Sequence, residues 1–186
     1  QFCNLSEVVV RPDDTLSSLK RKVRIAAILG TLQATLTDFR YLRNVWKTNT
    51  EEEALLGVSL TGIMDHHLLS GRGDNAKLKK WREEAIETNK RWAERLNINP
   101  STAITAIKPS GTVSQLVDSA SGIHPRYSEQ YIRTVRADSR DPLCAVLEAA
   151  GVPVETDVHS ASTKVFSFPI ASPEGAVTAS AMGAIE

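Results

Sequence analysis

Cysteine is scarce in this 186-residue chain: there are two, Cys3 and Cys144. Two cysteines cannot build the multi-bridge framework of a small secreted domain, so a reducing, cytoplasmic setting is the expectation. Net charge is lacking too. The 22 Lys and Arg residues balance the 22 Asp and Glu residues, which gives no reason to expect a general affinity for nucleic acid or other polyanions. No apolar run approaches the roughly 20 residues needed to cross a bilayer, so no membrane partner is expected. No signal peptide is visible. The dinucleotide glycine fingerprint, the phosphate-loop GKT or GKS, a Cys-x-x-Cys pair and a Ser-His-Asp spacing are all missing. Internal repeats and low-complexity stretches are absent as well.

What remains is an ordinary globular composition, long enough for one domain with a sizeable core. Phe2 to Val10 reads as a strand, stopped by Arg11-Pro12-Asp13-Asp14. Asp13, Asp14 or Thr15 can cap a helix running to about Leu36. From Ile25 to Leu36 that helix carries no charge, which predicts burial on most sides, and Gly30 predicts a close backbone approach. Asp38 to Trp46 reads as an irregular connection, and Thr50-Glu51-Glu52-Glu53 as a first helical turn. Leu56 to Gly62 reads as a short buried strand, Ile63 to Leu69 as a helical turn, and Gly71-Arg72-Gly73 as a loop. Asp74 is placed as the cap of an amphipathic helix to about Asn97, with a mixed-charge, solvated outer face.

Thr102 to Ile107 alternates like a strand, and Tyr131 to Arg136 and Lys164 to Pro169 do the same. Asp141-Pro142 opens a helix ending at Gly151. Strands alternate with helices, so the fold class is α/β with largely parallel strands. The chain begins with Gln1 inside apparent strand, and Gly175 to Glu186 reads as a helix opening. Both ends are therefore read as cuts through structure, residues 1–186 forming one segment of a longer enzyme.

The stretch that organises this reading is Lys108-Pro109-Ser110-Gly111-Thr112-Val113-Ser114. A strand that ends here and turns into a helix presents several backbone N–H groups together. Gly111 lets the backbone approach a ligand, and Ser110, Thr112 and Ser114 add hydroxyls. That is the chemistry of a phosphate cradle. The same residues also make an ordinary turn and N-cap, so both readings stand at this point.

Cys3 is either a small buried hydrophobe or a redox thiol that pairs with a second cysteine during turnover. Cys144, in an amphipathic helix, reads as a packed core thiol. His66 and His67 are adjacent, so on a helix they point about 100° apart and make a poor metal pair. His124, in Gly122-Ile123-His124-Pro125, reads as a structural loop histidine, with a substrate-facing role as the alternative.

Taken together and in order, several segments resemble the catalytic subunit of a ribonucleotide reductase. They are Phe2-Cys3-Asn4-Leu5-Ser6-Glu7-Val8, Lys22 to Ala27, Leu56 to Gly62, Lys108 to Ser114, and Gly122 to Pro125 with Tyr131-Ile132-Arg133. Their wording is most similar to the adenosylcobalamin-dependent class and its triphosphate reductases. The resemblance implies part of a ten-stranded α/β barrel of the ribonucleotide reductase and glycyl radical enzyme type. A finger loop bearing the radical cysteine in an Asn-x-Cys-x-Glu motif would lie upstream of residue 1, because this chain has no such motif. Cys3 matches one of the two cysteines that reduce the substrate. Ser110, Gly111, Thr112, Val113 and Ser114 match the segment that holds the substrate's phosphates. The resemblance further implies adenosylcobalamin as cofactor, a ribonucleoside triphosphate as substrate, thioredoxin or a similar dithiol as reductant, and a deoxynucleotide effector bound elsewhere. A reductase of the same family driven by a metal-bearing partner subunit, and a phosphate-binding α/β module without redox role, are the alternatives.

Overall fold

Alternation of apolar and small residues in two short segments produces the centre of the structure. β1 (Asn4–Val9) and β2 (Leu56–Thr61) pair in parallel, with Asn4 opposite Leu56 and Val9 opposite Thr61. The computed structural model of the chain describes residues 2–70, 75–108 and 110–183. The Gly71-Arg72-Gly73 loop, the Asp74 cap and Pro109 lie outside the described residues.

Parallel strands need a crossover, and helices supply it. α1 (Leu16–Gln33) starts at a capping box in which Thr15 and Ser18 each accept the other's backbone N–H, at 3.1 and 2.9 Å. Its buried stripe of Leu19, Val23, Ala26 and Ala27 packs on Val8, Val10 and Val58, with Trp81 and Ala85 from α3 (Asn75–Leu96) closing the core. Gly30 sits where a Cβ would come within 3.1 Å of Leu56, so the glycine sets how closely α1 lies on β2. The predicted strand from Thr102 runs along β2: Leu56 N–H donates to Ala103 and Val58 N–H to Ile104, and Ala106 N–H donates back to Val58. Asn89 on α3 ties these layers together, donating to Thr31 and Ser101 and accepting from Ser101 N–H.

The apolar half of α1 departs from expectation. Ile25, Leu29, Leu32 and Leu36 are exposed by 39–72%, because the strands cover only the opposite face. The acids Glu51 to Glu53 close α2 (Asn44–Glu53) instead of opening a helix, and Ala54 ends it in the left-handed region at φ 43°.

The expectation of largely parallel strands fails in the second half of the chain. β3 (Gln130–Asp138), β4 (Val154–Asp157) and β5 (Ser160–Ala171) form an antiparallel sheet with β5 in the middle. The reason is local. Asp157 pairs with Ser160, so β4 and β5 are a tight hairpin, and a hairpin can only be antiparallel. α5 (Pro142–Ala149) bridges β3 and β4, capped by Asp141 at 2.9 Å from Leu143 N–H. Downstream of Gly175 the described residues carry a 3-10 turn, Ala179–Ala181, instead of the expected helix opening.

Arg126 joins the halves. It is 3% exposed, and its Nε and Nη2 donate to the two carboxylate oxygens of Asp65 at 2.9 Å each. Nη1 donates to Asp118 at 2.9 Å. Burial opposes the charge, but the hydrogen bonds and the negative charge of these two partners outweigh it, so the guanidinium is held above its ordinary value. Removing one member of a buried pair strands the other, so Asp65→Ala is expected to lower stability by about 3–5 kcal/mol in denaturant unfolding. Glu148→Ala, at the surface pair with Lys164, should cost under about 1 kcal/mol.

Candidate functional site

The period of a strand sorts β1 and β2 into two faces. Val8 on β1, with Val58 and Leu60 on β2, faces the helices. Cys3, Leu5 and Glu7, with Gly57, Ser59 and Thr61, share the other face, and the third segment adds Ala106, Lys108 and Ser110. These residues line up in rungs. In the first, Cys3 Sγ lies 3.2 Å from where a Gly57 Cβ would be, with Ala106 Cβ 3.5 Å from the same point. A side chain at 57 would collide first with Leu5 Cδ2 and would also press on the thiol. In the second, Glu7 stands opposite Ser59, whose Oγ accepts from Lys108 N–H at 3.2 Å. In the third, Thr61 Oγ1 donates to Ser110 Oγ at 3.2 Å.

Thr61 is the hub of that last rung. Its hydroxyl also lies 3.0 Å from Ala120 O and accepts Gly122 N–H at 2.9 Å. Ala120 N–H donates to Asp65 at 2.7 Å, so the Asp65–Arg126 pair braces the loop behind the turn. Ser110, Gly111, Thr112, Val113 and Ser114 form a single turn leading into the four-residue helix α4 (Val113–Leu116). The serines serve that turn differently from the sequence reading. Both are buried. Ser110 Oγ bonds Ser121 Oγ at 2.9 Å, and Ser114 Oγ donates to Gly111 O at 3.0 Å. Their hydroxyls shape the loop from inside. Gly111 has φ +53°, and nothing lies within 4 Å of its missing Cβ. Among the described residues the amides of Gly111 and Thr112 find no acceptor. The outward surface of the turn is made by Gly111 with the exposed Thr112 and Val113.

Cys3 is a free, exposed thiol whose partial burial pushes its pKa up. Cys144 is buried, donates to Asp138 O at 3.2 Å, and is also pushed up by burial and by the charges of Asp141 and Glu148. His66 is fully buried, its Nε2 is 2.8 Å from Asp14 O, and its Nδ1 accepts Leu68 N–H at 3.3 Å. Nε2 therefore carries the proton and donates to Asp14. His67 stacks on His66 at 5.0 Å. His124 sits exposed in the turn closed by its N–H to Ser121 O.

Sequence reasoning missed Glu7, Lys108, Thr61 and the Asp65–Arg126 pair. Period two would have placed Glu7 on the Cys3 face. Asp65 and Arg126 lie 61 positions apart and carry no local signal.

No family model matches the chain. Curated proteins do. It is 30% identical over 141 residues to the adenosylcobalamin-dependent ribonucleoside-triphosphate reductase of Lactobacillus acidophilus, covering 62% of this chain and 19% of that protein. The enzyme of the same name from Lactobacillus helveticus is 28% identical over 159 residues, which is 72% of this chain and 21% of the relative. Over these stretches the chain is similar to adenosylcobalamin-dependent ribonucleoside-triphosphate reductases. It spans about a fifth of the length of these relatives. The crystal structure of a B12-dependent class II ribonucleotide reductase shares its fold, with a TM-score of 0.76 over 95% of this chain and 28% of that one, at 22% identity. The mixed α/β arrangement described above is thus one that a stretch of that reductase also adopts.

Exposure and burial set the order in which the thiols react. Iodoacetamide should label Cys3 in the native protein and spare Cys144 until it unfolds. Because its pKa is raised, Cys3 should label more slowly than an unperturbed thiol near neutral pH and gain on it as pH rises. Mass spectrometry of timed digests measures both.

Proposed function

We infer that this chain is part of an adenosylcobalamin-dependent reductase that converts ribonucleoside triphosphates to 2′-deoxyribonucleotides. The observation that carries this reading is the placement of the Cys3 sulfur, beside Gly57, and of the Ser110–Ser114 turn, bonded to Thr61, on one face of the same parallel strands. Gly57 and Thr61 are four residues apart on β2, roughly 13 Å, a nucleotide's length.

In this reading the turn holds the triphosphate through its backbone amides, and Gly111 keeps side chains out of the way. Cys3 is one of two thiols that give up two electrons. Their sulfurs join in a disulfide as the substrate's 2′-hydroxyl leaves as water and hydrogen takes its place. A dithiol reductant of the thioredoxin kind then exchanges with that disulfide and resets the pair. The second thiol, the finger loop with its radical cysteine, and the rest of a ten-stranded barrel belong to other parts of the longer protein, as does the effector site, and the setting is cytoplasmic. Adenosylcobalamin supplies the initiating radical when bound. The apolar cleft beside β2 and α3, at 510 Å³, is too small by itself for a corrin. The similarity to cobalamin-dependent enzymes favours this reading over the partner-subunit alternative.

In the full-length protein, Cys3→Ser should abolish turnover supported by a dithiol reductant, whereas a phosphate-binding module would keep its nucleotide affinity and lose nothing. Gly111→Val should weaken triphosphate binding at least about tenfold while circular dichroism stays native, the loss expected for one hydrogen bond to a charged group. Ser114→Ala, which loosens the turn from within, should cost less. A folded Gly111→Val variant of unchanged affinity would reduce the turn to a helix cap. The isolated 186-residue chain should form no deoxynucleotide.

A further inference from the structure

The rung between thiol and turn holds a charge pair that the reading above leaves unused. Glu7 has a side chain only 6% exposed, and both its carboxylate oxygens are buried without a hydrogen-bond partner. Its counter-charge is Lys108 Nζ, 3.8 Å away, beyond hydrogen-bonding distance. A buried pair this loosely matched is poor value for stability, since an apolar pair of similar volume would serve the fold as well or better. Lys108 is 25% exposed and lies on the open side of Glu7. Its backbone N–H is pinned to Ser59 Oγ at 3.2 Å. The ammonium has three donors, and the pair with Glu7 leaves them free of any bond of proper length.

Position gives the pair a use. Ser59 stands two residues beyond Gly57, whose missing Cβ would lie 3.2 Å from Cys3 Sγ, and two residues before Thr61, which anchors the turn. Each step is about 6.6 Å along the strand. Lys108 is therefore midway between the sulfur and the amides of Gly111 and Thr112. A nucleotide with its sugar at the thiol and its terminal phosphates on the turn lays its sugar–phosphate junction over this rung. We propose that Lys108 binds the α-phosphate of the substrate nucleotide, and that the buried Glu7 is a positioning residue that holds the ammonium there. The inference rests on the function proposed above. It adds a charged contact to a turn that otherwise binds through its backbone.

Titration calorimetry on the full-length protein tests it, with a ribonucleoside triphosphate and the corresponding unphosphorylated nucleoside as probes. Lys108→Met should weaken the triphosphate about tenfold and leave the nucleoside unchanged. Lys108→Arg should restore most of the loss. Glu7→Gln should change triphosphate affinity in the presence of Lys108 and have no further effect in the Lys108→Met background, because it acts only through the lysine. A folded Lys108→Met variant with unchanged triphosphate affinity overturns the proposal, and so does an equal loss for both probes. Gly111→Val, measured alongside, separates the two claims. If it is silent while Lys108→Met weakens binding, the cradle fails and the lysine contact stands. If Gly111→Val alone weakens binding, the cradle stands and the lysine contact fails.

Discussion

The buried bidentate pair of Arg126 with Asp65 is the constraint on which the arrangement of the second half depends. Asp65 sits in the turn just past β2, and Arg126 just before β3. The guanidinium reaches Asp118 as well, and its backbone bonds Val177 and Ala179. One side chain therefore fixes the end of the parallel strands, the loop carrying Ala120 and the start of the antiparallel sheet. Without it, the loop that braces Thr61 and Ser110 would be left with single hydrogen bonds, from Gly62 N–H to Ala120, from Arg11 to Asp118 O and from the hydroxyls, each worth about 1 kcal/mol.

Much of the first half was legible in the sequence because its signals are local. Thr15, one of three candidate caps, announces α1, the apolar run from Leu56 announces β2, and the apolar spacing of α3 announces its buried face. The errors came where a local signal had two meanings. An uncharged stretch such as Ile25–Leu36 says that a face is apolar, not that something covers it. Acids such as Glu51 to Glu53 suit a first turn by the helix dipole, yet here packing and the left-handed Ala54 place them last. Alternation in β3 and β5 revealed strands but not their direction; the short Val158-His159 connection makes β5 antiparallel to β4, and no such local signal exists for β3.

The site was half legible. Cys3 and the Ser110–Ser114 turn drew notice by residue type and by resemblance, and the structure places both on one strand face. What could not be read was how the hydroxyls are used. Ser110 and Ser114 turn inward because Thr61, Ser121 and the Gly111 carbonyl need partners in a buried corner, and unpaired polar groups there are costly. Long-range partners such as Arg126 and Asp65 leave no trace in spacing, so the brace behind the turn was invisible beforehand.

The water-facing row of Ile25, Leu29 and Leu32 on α1, with Leu36 just past its end, bears on how the chain behaves in solution. Its formal charge is zero and its isoelectric point is about 7.1, so near neutral pH no net repulsion keeps molecules apart. Exposed leucines along one helix then become the natural place for copies to meet. Salting-out ions strengthen such contacts. Solubility should therefore be lowest near pH 7 in sulfate, and should improve as the pH is moved to either side.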